Sequence, residues 1–191
     1  MMRLILGLSL VLAMFAPAWS QIASKPIVFE ELNGRTIEAK VTLAQKVRNP
    51  RDNKVRSSNS TRTITLIISG KTIKQSNTNV VTNPDGRTIG SNSRSGQSVV
   101  NRPRKSASGD GIWLFDEGRL VWLQAYVSGA RRTTIDFKRD AARFACSIDV
   151  GLAPEEGAGV VRAKSGIGTD IIEVLEAKMV ESSCQVRKTG E

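Results

Sequence analysis

Apolar residues in this chain recur at every second position, in short runs separated by turn-forming residues, and that alternation is the period of a β-strand. Ile37, Ala39, Val41, Leu43 and Val47 alternate with Thr36, Glu38, Lys40, Thr42 and Lys46, so residues 36–47 read as a half-buried strand. Asn33-Gly34 precedes it as a turn, and Ile27-Val28-Phe29 reads as a short cap on the core. Residues 48–60 read as a loop. Thr63 to Ile68 form a short β-branched run, and 71–82 a weaker polar strand closed by the turn Asn83-Pro84-Asp85-Gly86.

The second half is patterned more sharply. Ile112-Trp113-Leu114-Phe115 and Leu120-Val121-Trp122-Leu123 flank Asp116-Glu117-Gly118-Arg119, a hairpin signal. With Glu117-Gly118 as its two-residue loop, Phe115 faces Leu120 and Trp113 faces Trp122. Apolar residues on both faces predict a central position for this hairpin. Ile135 and Phe137 point inward from the next strand, and Phe144, Cys146, Ile148 and Val150 from the one after it. Residues 170–187 remain open. Asp170-Ile171-Ile172-Glu173 resembles a helix capping box, whereas a strand would place Ile172, Val174, Val180, Cys184 and Val186 on one face. A strand beside residues 143–150 would bring Cys184 to Cys146. The expected fold is all-β: a single antiparallel β-sandwich or small β-barrel with one disulfide.

Residues 83–111 fit this pattern least. They hold five Gly, six Ser, three Asn and five Arg or Lys, with only Ile89, Val99, Val100 and Ala107 apolar. So little apolar surface predicts a long mobile loop, with room for an edge strand at 86–92 or 97–101.

The N-terminus reads as a signal peptide. Arg3 precedes an apolar run from Leu4 to Ala16, and Pro17-Ala18-Trp19-Ser20-Gln21 follows with small residues at the cleavage positions. Cleavage after Ser20 or after Ala18 satisfies the pattern. The run is too short to span roughly 30 Å of hydrocarbon as a helix. The expected organisation is a signal peptide over 1–20 and one domain over 21–191, periplasmic or secreted. In such a compartment the only two cysteines, Cys146 and Cys184, read as a disulfide. Closing a loop of about 39 residues contributes roughly 4 kcal/mol by the chain-entropy argument.

Lys and Arg number 28 against 18 Asp and Glu; removing residues 1–20 takes away Arg3 alone, leaving 27 against 18, or +9. That balance favours anionic partners: acidic polysaccharide, lipopolysaccharide or a membrane surface. The cations fall in three clusters: Lys46, Arg48, Arg51, Lys54, Arg56 and Arg62; Arg87, Arg94, Arg102, Arg104 and Lys105; Arg131, Arg132, Lys138, Arg139 and Arg143. Arg87, Arg94, Arg102, Arg104, Lys105, Arg131 and Arg132 are the candidate anion-binding residues. Specific nucleic-acid binding is not expected, because stacking needs exposed aromatics and Trp113, Phe115, Trp122, Phe137 and Phe144 lie on the patterned strands.

The chain has no histidine, which removes Ser-His-Asp and Cys-His nucleophilic sites and the commonest zinc ligand. Ser69-Gly70-Lys71-Thr72 follows a strand, but a phosphate loop needs glycine at the position held by Thr65. Glu30-Glu31 and Glu155-Glu156 are adjacent pairs; a glycosidase needs two carboxylates facing across a cleft, adjacent acids on a strand would point to opposite faces, and these read as solvated loop acids. No catalytic residue, metal or cofactor is expected, and the leading function is non-enzymatic binding of anionic envelope components. The alternative is a β-barrel carrier of a small apolar ligand, lined by Trp113, Trp122 and Tyr126.

From Gly118 onward the order of features resembles a set of small exported proteins of rhizobium-like alphaproteobacteria. It is carried by Glu117-Gly118-Arg119-Leu120-Val121, Gly129 to Asp136, Cys146-Ser147-Ile148, a Gly-rich stretch, Ile172-Glu173-Val174 and Ser183-Cys184-Gln185-Val186. The resemblance covers about residues 61–187. It implies an all-β domain with the cysteines paired and a strand for the last segment, and it carries no assigned activity and no catalytic residues.

Overall fold

The computed structural model describes residues 27–48, 52–102, 111–126, 129–140, 143–153, 161–164 and 171–190. The described residues form ten strands: β1 (Arg35–Arg48), β2 (Val55–Ser69), β3 (Thr72–Thr82), β4 (Thr88–Val99), β5 (Gly111–Asp116), β6 (Arg119–Tyr126), β7 (Gly129–Asp140), β8 (Arg143–Ala153), β9 (Val161–Lys164) and β10 (Ile171–Lys188). They build two antiparallel sheets, in the orders β4-β3-β2-β1-β10-β9 and β5-β6-β7-β8. The fold is all-β, consistent with a β-sandwich.

The inner faces follow the alternation. Ile37, Ala39, Val41 and Leu43 of β1, Ile64, Leu66 and Ile68 of β2 and Ile73 of β3 are buried from the large sheet. Trp113, Leu120, Trp122, Ile135, Phe137 and Ile148 are buried from the small one. Ile27, Phe29 and Leu32 close one end from a 3-10 turn over Phe29–Leu32, as the expected cap. Each such side chain contributes about 1.5–3 kcal/mol when fully buried.

Three ties join the sheets. Cys146 of β8 is bonded to Cys184 of β10 across a Cα–Cα distance of 5.4 Å. The Trp113 indole N–H donates to Gln75 Oε1 at 2.7 Å, satisfying a group that would cost about 1–3 kcal/mol if left buried and unpaired. The Asn101 N–H donates to the Trp113 carbonyl at 2.6 Å, holding the corner between β4 and β5. The Glu31–Arg139 ion pair adds a tie from the 3-10 turn to the end of β7, and Arg139 and Arg35 both lie over the Phe144 ring.

Several expectations change. The hairpin β5–β6 has the expected register, with Trp113 opposite Trp122 and Phe115 opposite Leu120, and its turn residues Glu117 and Gly118 both take positive φ. It is not central, however, because β5 is an edge strand. Residues 55–60, read as loop, begin β2, since the ladder to β1 continues to the Arg48–Val55 pair. Residues 170–187 resolve as strand over the described Ile171–Lys188, but β10 pairs with β1 and β9 rather than β8. The disulfide therefore bridges two sheets. Bulges shift the β1–β10 register between Thr42 and Leu43 and between Lys46 and Val47. The first drops Val180 out of the apolar alternation and leaves it 58% exposed. Finally, Thr88–Val99 is one continuous strand, not a mobile loop. Its backbone pairs with β3 along nearly its whole length, and that ladder offsets the ordering entropy that its side chains cannot.

The signal-peptide segment and cleavage positions lie outside the described residues, as do 103–110, including Arg104 and Lys105.

Candidate anion-binding site

The β3–β4 hairpin turns at Asn83-Pro84-Asp85-Gly86, where Gly86 takes a φ of 88° and its N–H donates to the Asn83 carbonyl at 2.9 Å. Lys71, Lys74, Arg87, Arg94 and Arg102 lie on this hairpin or at its base, against a single acid, Asp85. Asp85 accepts from the Arg87 backbone N–H at 3.1 Å and so serves the turn.

Six cations elsewhere are paired with acids. Lys40 pairs with Glu181, Lys46 with Glu176, Arg56 with Asp52, Arg119 with Asp116, Arg139 with Glu31 and Arg187 with Glu38. The Arg56 guanidinium, and then the Lys54 backbone N–H, hold the Asp52 carboxyl below its ordinary pKa. Among the described residues no carboxylate lies within ion-pair distance of Lys71, Lys74, Arg87, Arg94 or Arg102. All five are exposed.

At the base of the hairpin the 3-10 turn, the β3 and β4 ends and β5 meet around a cleft of about 360 Å³. Phe29 and Phe115 pack edge to face there, with ring centroids 5.3 Å apart. Lys71, Arg102, Asn101 and Glu30 supply its polar rim. The corner is held by backbone bonds: Val100 N–H to the Lys71 carbonyl at 2.9 Å and Arg102 N–H to the Val99 carbonyl at 3.1 Å. Asn101 takes a φ of 60°, and its Oδ1 accepts from the Phe115 N–H at 3.4 Å. Lys71 and Arg102 outnumber the one acid of the rim, Glu30, and two cations beside an aromatic floor on a fixed corner can hold an anionic group.

Of the sequence candidates, Arg87, Arg94 and Arg102 share the hairpin. Arg132 is half-buried on β7, opposite Leu123 and Gly151, so it belongs to the small sheet. The side chain of Arg131 lies outside the described ones, as does that of Tyr126. Trp113 and Trp122, candidates for lining a ligand cavity, stack at 5.2 Å and are 2% and 7% exposed, so their rings occupy the space between the sheets. Phe29, Lys71, Asn101 and Phe115 were not sequence candidates; only the sandwich corner brings them together. Among the described residues no group of three or more Asp, Glu, Cys or His is placed to hold a metal ion, and no helix is long and apolar enough to cross a membrane. Comparison with family models, curated proteins and solved structures finds no match.

Proposed function

We propose that this is an exported, non-enzymatic protein that binds anionic polymers or surfaces of the cell envelope through the β3–β4 hairpin and the cleft at its base. The observation that carries the reading is a concentration of cations without acids: among the described residues Lys71, Lys74, Arg87, Arg94 and Arg102 share one hairpin and none lies within ion-pair distance of a carboxylate, whereas Lys40, Lys46, Arg56, Arg139 and Arg187 on β1, β2, β7 and β10 each meet one. The disulfide indicates an oxidising compartment, and the pattern of Arg3, Leu4–Ala16 and Ala18-Trp19-Ser20 supports export by a cleaved signal. Intact mass of protein recovered from the envelope fraction is expected to begin at Gln21 or Trp19. Full-length chain confined to the cytoplasm would refute export.

Acidic polysaccharide, lipopolysaccharide and membrane headgroups share dense carboxylate or phosphate charge, and two probes separate the sources: heparin and vesicles containing phosphatidylglycerol. With four or five cations engaged, affinity for a linear polyanion is expected to fall about 10²–10³-fold between roughly 50 and 200 mM salt. Neutralising Lys71, Arg87, Arg94 and Arg102 to Gln should weaken binding at least tenfold at low salt. Neutralising the paired Lys40, Lys46, Arg119 and Arg187 removes the same charge and should do less. Equal loss in both variants would mean that diffuse charge, not the hairpin, binds the polymer.

A further inference from the structure

We propose that β4 is a docking edge for an extended acidic segment of another polypeptide, which adds to the large sheet as a further strand. This rests on the β4 edge that no other described strand pairs with, and goes beyond the polyanion reading, because a polysaccharide or lipid headgroup cannot continue a β-ladder. β4 is the outermost strand of the six-stranded sheet and runs twelve residues, Thr88–Val99. Among the described strands it pairs only with β3. Long open edges usually carry proline, short length or inward charges that block addition. β4 has no proline and no acid, and its described bulge lies at the turn end, where the register shifts between Val81 and Thr82; its one inward charge is Arg94, which opposes a like-charged strand but not an acidic one.

The direction of its hydrogen bonds follows from both ends of the hairpin. The Asn83 N–H donates to the Arg87 carbonyl, and the Val100 N–H to the Lys71 carbonyl, each at 2.9 Å. Hydrogen-bonded pairs alternate along an antiparallel ladder. Asn92, Arg94, Gly96 and Ser98 therefore bond to β3. Ser91, Ser93, Ser95 and Gln97 turn their N–H and C=O groups to the open edge. The 3.1 Å approach of Thr78 Oγ1 and Ser93 Oγ fits this phase, because side chains come closest at non-hydrogen-bonded pairs.

Charge selects the occupant. Arg94 is the one ionisable residue within β4, and Arg87 and Arg102 flank the strand. A second copy pairing edge to edge would set these cations against their own kind. An acidic strand places a carboxylate opposite Arg94, on the sheet face that Arg94 shares with Asn77 and Ile64.

The test uses the full mature protein and a labelled, end-capped decapeptide of alternating Thr and Glu. Saturable binding is expected, with slowed amide exchange at Ser91, Ser93, Ser95 and Gln97. The same peptide N-methylated at every residue keeps its charge but loses its donors, and should bind at least tenfold more weakly. Ser95→Pro removes an outward N–H without breaking a bond to β3, as proline at an edge can. It should weaken the peptide at least tenfold and leave heparin affinity and Tm unchanged; Ser93→Pro, which also gives up the exposed Ser93–Thr78 hydroxyl bond, is the parallel variant should the first fail to fold. Equal affinity for both peptides would overturn the proposal, as would undiminished binding by a folded proline variant. A concentration-dependent dimer abolished by the proline would assign the edge to a second copy instead. Loss of heparin binding with peptide binding intact would remove the polyanion reading alone.

Discussion

Replacing both Cys146 and Cys184 with alanine, or reducing their bond, lowers the unfolding free energy by about 4 kcal/mol, within a usual range of about 2–5. Part of the reason is general: the bond closes a loop across a sequence separation of 38 and restricts the unfolded chain. The rest is specific to this architecture. β8 and β10 belong to different sheets, so no ladder of backbone bonds joins them. Around the bond Phe144, Val186 and the sulfurs are only partly buried, and among the described β8 residues Ile148 alone is fully buried in the core. With the bond gone, the β8 edge of the small sheet is held to the large one by those contacts, while the far side keeps the Trp113–Gln75 and Asn101–Trp113 hydrogen bonds. A loss of that size is a large share of a margin of about 5–15 kcal/mol. Urea unfolding with and without reductant checks it, the alanine pair serving to exclude thiol side reactions. A shift below about 1 kcal/mol would mean that the packed faces hold the sheets without the covalent tie. A second consequence is local: amide exchange should accelerate along β8 and the Cys184 end of β10 before it does along β2 or β3.

How much of this arrangement can be read from the chain depends on where each element gets its stability. The β5–β6 hairpin is legible because a two-residue turn fixes the register, and apolar side chains on alternating positions say which face is buried. Trp113 and Trp122 consequently meet as expected. β4 is not legible by the same means. It buries Ser98 and little else, and its order comes from a backbone ladder whose partner is a tertiary fact. Composition reports side chains, so a polar strand held by its backbone looks like a loop. The bulges in β10 hide in the same way, since one extra residue reverses the alternation beyond it and Val180 reads as core while standing in solvent. The pairing of Cys146 with Cys184 follows from there being two cysteines, but their placement on different sheets does not. The charge bias was visible as composition, and Arg87, Arg94 and Arg102 as a cluster in sequence. Which cations lack carboxylates was not, because Glu181, Glu176 and Glu31, the partners of Lys40, Lys46 and Arg139, are brought in from over a hundred residues away.

Gly111→Ala is expected to destabilise the fold by about 1–3 kcal/mol, the usual cost of forcing a group into a filled interior. In the sequence Gly111 is one more glycine of a Gly/Ser-rich stretch. In the structure it opens β5 opposite Gln124, and the Trp122 ring lies across it. A Cβ added there would stand 2.3 Å from Cζ2 and 2.4 Å from Cη2 of that ring. No strained φ is involved, so the constraint is space alone. The ring has little room to yield, because it is 7% exposed and stacked on Trp113, whose own N–H is committed to Gln75. Moving Trp122 therefore disturbs the aromatic pair and the inter-sheet hydrogen bond together. Two further variants make the cause readable. Gly151→Ala places a Cβ where nothing lies within 4 Å and should change stability by less than about 0.5 kcal/mol. Trp122→Phe shortens the ring that blocks the site. It costs stability alone through the cavity it leaves, but combined with Gly111→Ala the two losses should fall short of additive by about 1 kcal/mol, as expected of residues sharing one space. Urea midpoints of the three variants and the double variant give the coupling directly. Additive losses would mean that the alanine clashes with something other than Trp122, and an unchanged midpoint for Gly111→Ala would mean that the ring does not lie over β5 as described.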